Sequence, residues 1–136
     1  MKVFHGRLDG KPSEQRSDTF TGVVYADPIM PSTAGVSLTS VFFSPGARTH
    51  WHAHGQGQIL QVTAGKGWIC LEGQEPQMIR QGDVVWIGAD ERHWHGAADD
   101  TFMIHAATTL GKIDWQEPVA DAVYPKSVCN PADSLR

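Results

Sequence analysis

The chain has 136 residues, 40% of them hydrophobic and 19% charged, with a formal charge of −4. That length suits one domain with a core of its own. The acidic balance and scattered Lys and Arg speak against a nucleic-acid partner. No apolar run approaches the ~20 residues that span a bilayer. The opening MKVFHGRLDG lacks the apolar stretch of a signal peptide. A cytoplasmic protein with no membrane partner is therefore expected.

Along the chain, the first 18 residues are polar and weakly patterned and read as an arm. Short runs rich in Val, Ile, Phe, Trp and Thr follow at 21–27, 36–43, 47–53, 58–64, 67–72, 76–80, 83–88, 93–98 and 101–109. The breaks between them are DPIMPSTAG, SPG, AGKG, EGQEP, QGD, GADER and ADD. Short strands at this spacing predict an all-β sandwich or barrel. The residues after Val123 read as a second arm. With no repeat or internal linker, residues 1–136 are expected to form one domain, its barrel over about 20–110. Cys70 and Cys129 lie far apart and form no CxxC, so no disulfide framework is expected. Cys70 reads as a small buried hydrophobe, and Trp86 as core packing.

The chemistry concentrates in GARTHWHAHGQGQ, residues 46–58, and in ERHWHGA, residues 91–97. Side chains alternate faces along a strand. His50, His52 and His54 share a face if the strand is unbroken, and so do His93 and His95. Trp51 and Trp94 then point the other way, toward packing. A solvent-facing strand can carry a stray histidine, but five of the seven histidines fall in these two clusters. Imidazoles at positions 52 and 54 can converge on one ion, and one from a facing strand can close a three-nitrogen face. Gln58 can add its side-chain carbonyl oxygen.

These residues resemble the cupin family. Its first motif, G-x5-H-x-H-x3/4-E-x6-G, is matched by Gly46, His52, His54, Gln58 and Gly65, with Gln58 in place of the usual Glu. Its second motif, G-x5-P-x-G-x2-H-x3-N, is matched in spacing by Gly82 and His93. Gly88, Asp90 and Ala97 replace the Pro, the second Gly and the Asn. The resemblance covers about residues 36–110. It implies an all-β cupin (double-stranded β-helix, or jelly-roll) barrel with one divalent metal on His52, His54, Gln58 and His93. It also implies assembly as a homodimer or homotetramer.

The stretches PGARTxWHxH, GQ-x-L-x-VTAGxGW, GDVVW and ERHWHGA are similar to small bacterial cupins that include manganese-dependent hydroxynitrile lyases. That subgroup carries the Gln ligand. The similarity implies Mn2+, with Fe2+, Ni2+ or Zn2+ as alternatives, and a small-molecule cyanohydrin as substrate. It places proton transfer on His95 and His105 and lines the substrate pocket with Thr39, Val41 and Thr109. His50 lies outside the ligand pattern and reads as a rim histidine. Three imidazoles and an amide are neutral, so a bound ion keeps its full charge and acts as a stronger Lewis acid. The rival readings are an iron dioxygenase at the same ligands, a dehydratase, decarboxylase or isomerase, and a non-catalytic binding cupin. A structural zinc is disfavoured, because neither cysteine is placed to serve it.

Overall fold

The computed structural model describes residues 1–6 and 10–127. Cys129 lies outside the described residues. Twelve strands run through them: β1 (Glu14–Arg16), β2 (Phe20–Thr21), β3 (Val24–Thr33), β4 (Val36–Phe43), β5 (Arg48–Thr49), β6 (His52–His54), β7 (Gly57–Leu71), β8 (Gln77–Arg80), β9 (Val84–Ile87), β10 (His93–Ala97), β11 (Met103–Leu110) and β12 (Ile113–Trp115). No helix occurs among the described residues, and none is long and apolar enough to cross a membrane. All-β architecture is what the alternating runs call for.

The strands pair antiparallel in the order β1-β3-β4-β11-β7-β10-β5-β2. The path curls into a nearly closed barrel because β7 serves two sheets. Its first part pairs with β11 and β9, and its second with β10 and β8. The corner lies at Gly65 and Gly67. Gly65 has φ 73°, and a Cβ there would meet the Phe102 carbonyl oxygen at 2.0 Å. A Cβ on Gly67 would stand 2.0 Å from the Gly96 carbonyl oxygen. Only glycine permits this approach and turn. AGKG is therefore a bend within one strand, not the break expected between two.

Other boundaries also move. β3 runs on through DPIMPST, absorbing its prolines with register shifts between Pro28 and Met30 and between Met30 and Thr33. The amino-terminal arm contributes β1, which pairs with β3. The run at 47–53 is interrupted at His50 and Trp51, which leaves β5 and β6 as separate short strands. Beyond the expected strands, β12 pairs with β6.

Alternation sets the interior. On β11, Met103, His105, Ala107 and Thr109 are buried, and each residue between them is half-buried. Val41 and Phe43 face them across the β4 ladder. One core cluster gathers Val24, Phe43, Val62, Ile79 and Met103. A second lies on the other face of β10, where Trp94 packs with Cys70, Val119, Tyr124 and Trp51. Fully burying a large apolar side chain such as Phe43 contributes about 1.5–3 kcal/mol. Arg48 straps the carboxy-terminal segment over the second cluster. It donates to the Val119 carbonyl at 2.9 Å, pairs with Asp121, and lies 4.6 Å from the Tyr124 ring centroid. Trp86 departs from the expected core role: it is 61% exposed. Parity explains this, because Ile87 turns inward on β9 and its neighbour must turn out.

Candidate metal and proton-transfer site

Four ladders bring the histidines together. β10 pairs with β6 so that His93 lies opposite His52. It also pairs with β7, and β11 sets Thr109 opposite Gln58 and His105 opposite Val62 and Val41. His52, His54, His93, His95 and His105 are each 3% exposed or less. The His52 ring centroid lies 5.0 Å from that of His54, 4.2 Å from His93 and 5.2 Å from His95. One ring nitrogen from each of His52, His93 and His95 falls within 4.8 Å of the others. This three-histidine site can hold a metal ion.

Hydrogen bonds assign the free nitrogens. Nδ1 of His52 lies 2.8 Å from the His50 carbonyl oxygen, and Nδ1 of His93 lies 2.8 Å from that of Glu91. A carbonyl only accepts, so both Nδ1 atoms carry the hydrogen and each neutral ring keeps its lone pair on Nε2. That is the arrangement in which a ligating histidine is oriented by its other nitrogen. Gln58 donates from Nε2 to the Thr109 hydroxyl at 3.0 Å, which turns its carbonyl oxygen the other way. Gln58 Oε1, His93 Nε2 and both His54 ring nitrogens are buried without a partner. A buried polar atom left unpaired costs about 1–3 kcal/mol, and four such atoms in one cluster are donors suited to a cation.

Protonation agrees. Burial, and then the neighbouring His93, pushes His54 down to about 4. Burial followed by His93 also holds His52 well below its ordinary value, and burial lowers His93. All three imidazoles are thus neutral near pH 7, as ligands must be.

Beside this group stands a histidine pair. Nε2 of His105 lies 3.0 Å from Nδ1 of His95. The far nitrogens, His95 Nε2 and His105 Nδ1, are buried and unpartnered. Burial, followed by His105, holds His95 well below its ordinary value, and burial takes His105 down to about 4. Both lie against the Phe43 ring, at 6.0 and 5.1 Å.

A cavity of about 190 Å3 opens onto His52, His54, Gln58, His95 and His105. Thr39, Val41 and Thr109 all line it. His93 does not line it; its ring packs on His52, with centroids 4.2 Å apart. His50 is not in the lining: the chain leaves the strand there, and its backbone N–H donates to the Thr19 carbonyl at 2.9 Å. Sequence reasoning missed Thr49, Phe20 and Trp115, which also face the cavity. The Thr49 hydroxyl accepts the His95 backbone N–H at 3.1 Å. Thr49 sat inside a run read as one strand, and the Trp115 segment carries no run long enough to mark it.

A Cupin domain description matches residues 40–106. The chain is 50% identical over 114 residues to an (R)-mandelonitrile lyase of Granulicella tundricola, across 79% of this chain and 87% of that one. A solved cupin-like protein of Thermotoga maritima has 34% identity and a TM-score of 0.79, covering 91% of this chain and 95% of the other. A predicted oxalate decarboxylase of the same organism, at 19% identity and a TM-score of 0.71, covers 82% of this chain and all (100%) of its own and shares the fold alone. The chain belongs to the cupin family, as a small single-domain member with an enzyme-like site.

Proposed function

We propose that the protein is a metal-dependent lyase that cleaves cyanohydrins and runs the reverse addition of cyanide to an aldehyde. What carries this reading is the 50% identity to a mandelonitrile lyase over most of both chains. The site chemistry supports it independently. His52, His54, Gln58 and His93 offer three neutral imidazoles and an amide oxygen, in keeping with the unpartnered buried atoms of His54, Gln58 and His93. Bound by these donors, a divalent ion, with Mn2+ the first choice before Fe2+, Ni2+ or Zn2+, supplies a Lewis acid that acidifies a substrate hydroxyl.

The chain's own residues then handle the proton. For His95 to accept on Nε2, its Nδ1 must carry the hydrogen and donate to His105 Nε2, the 3.0 Å contact observed. His105 orients the ring and steadies the imidazolium that forms. The substrate hydroxyl proton passes to His95 Nε2, and the carbonyl forms as the bond to cyanide breaks. That bond's electron pair leaves with cyanide, and the proton returns to it as hydrogen cyanide. Thr39, Val41 and Thr109 wall the substrate. The reading includes assembly as a homodimer or homotetramer, which sedimentation checks.

Cyanide release from mandelonitrile by manganese-loaded protein, against a chelator-stripped control, tests the proposal. Metal-dependent release well above background is the expected result. Release equal to the control would leave a metal cupin whose chemistry is something else.

A further inference from the structure

The cavity walls narrow the substrate class of this site, an inference that rests on the lyase reading. At about 190 Å3 the cavity falls below the ~300–1,000 Å3 typical of drug-sized ligands. Its inner end is closed. Val41, Phe43 and Ala107 are 7%, 0% and 7% exposed, and Thr49, His95 and His105 gather beside them. The outer end carries Phe20, Ile113 and Trp115 as an apolar lip, with Arg16, Thr19 and Ser37 completing the rim. Ile113 is 43% exposed and Trp115 36%, so the lip opens to solvent. Trp115 lies opposite His52 in the β6–β12 ladder. Its ring centroid is 4.6 Å from that of His52 and 5.6 Å from that of Phe20. The aromatic wall therefore begins where the ion-facing imidazole ends.

The geometry points to one orientation: the substrate's hydroxyl-bearing carbon sits inward at His52 and His95, and its single apolar substituent lies outward against Trp115, Phe20 and Ile113. Flat aryl groups suit this lip, since tilted aromatic rings attract beyond their buried area. Aldehyde-derived cyanohydrins fit. Ketone-derived ones do not, because their second substituent must turn onto the closed wall of Val41, Phe43 and Ala107.

The test compares mandelonitrile, acetaldehyde cyanohydrin and acetophenone cyanohydrin as substrates of metal-loaded wild type, Trp115→Ala and Trp115→Phe. In parallel, ligand-observed NMR measures benzaldehyde binding to the metal-free proteins. Wild type should use acetophenone cyanohydrin about 10–200-fold less well than mandelonitrile, the usual effect of one methyl group too many. Trp115→Ala should lower the preference for mandelonitrile over acetaldehyde cyanohydrin about tenfold, through KM, and weaken benzaldehyde binding. Trp115→Phe should restore most of both. Ile113→Ser replaces Trp115→Ala as the probe if that variant does not fold. A preference and a benzaldehyde affinity indifferent to these changes, or equal use of the ketone-derived compound, would overturn the orientation. If wild type cleaves no cyanohydrin, the lyase reading fails separately. Benzaldehyde binding then decides the lip: lost in Trp115→Ala it stands, unchanged it falls.

Discussion

Two His-x-His pairs occupy this barrel, alike in spacing and in the tryptophan or alanine turned away between them, yet their members have different partners. His52 and His93 each donate Nδ1–H to a backbone carbonyl two residues back. His95, one pleat beyond His93, meets another histidine instead. His54 packs its ring on His52 and His93, with Gln58 beside it and no backbone carbonyl on either nitrogen. A carbonyl fixes the tautomer permanently, as a ligand requires, whereas a second imidazole can give or take the proton, as a base requires. For His52 and His93 against His95, the partner of the second nitrogen, not the spacing, separates a proposed ligand from a proposed proton carrier.

The largest effect should come from breaking the ligand side. His52→Ala is expected to lose most bound metal and at least about 10³-fold in kcat, by the scale of a lost Lewis acid worth several kcal/mol. Metal analysis beside the cyanide assay checks it, and unchanged metal content would remove His52 from the site. Breaking the other side should cost less. His105→Phe should keep the metal and lower kcat by up to the factor of about 10²–10⁴ that a positioned base contributes, because it leaves the base His95 without its orienting partner. Steady-state kinetics on protein of known metal content measures this.

The pair also differs from ordinary histidines in its cost to protonate. His105 titrates near 4 in the folded chain against an ordinary 6.5. As pH falls below 6.5 the unfolded chain takes up a proton that the fold refuses. The metal-free protein should therefore hold its stability above that value and lose it between 6.5 and about 4. The fully buried His105 alone accounts for on the order of 3 kcal/mol at about 1.4 kcal/mol per pKa unit. Urea melts at pH 7 and pH 5 should show the drop, and His105→Phe should make it smaller by the His105 share, leaving that of the other buried histidines. The smallest change is Gln58→Glu. It should retain metal but bind cyanide several-fold more weakly, because an anionic donor lowers the charge at the centre. Cyanide titration of the cobalt-substituted protein reads this, and equal or tighter binding would contradict the charge argument.

Much of this was legible in the sequence, and the reasons differ by region. The family resemblance, more than alternation, pointed to Thr39, Val41, His105 and Thr109, and all four line the cavity. Alternation turned Trp51 and Trp94 outward together, and their ring centroids lie 6.3 Å apart. Trp86 was misjudged because bulk suggests core while parity on β9 decides. The β7 corner was misread because glycine marks both a break and a bend. His50 was aligned with His52 on an assumption of unbroken strand, and the interruption at His50 and Trp51 removes it. Trp115 reaches the site through a ladder with β6 that no local pattern announces.

The most direct test of the account sets His93→Gln beside His95→Gln, with metal content and mandelonitrile cleavage measured on the same preparations. The account predicts that His93→Gln loses both, while His95→Gln keeps its metal and loses cleavage. Loss of metal from His95→Gln as complete as from His93→Gln would contradict it, and would assign the ion to His52, His93 and His95.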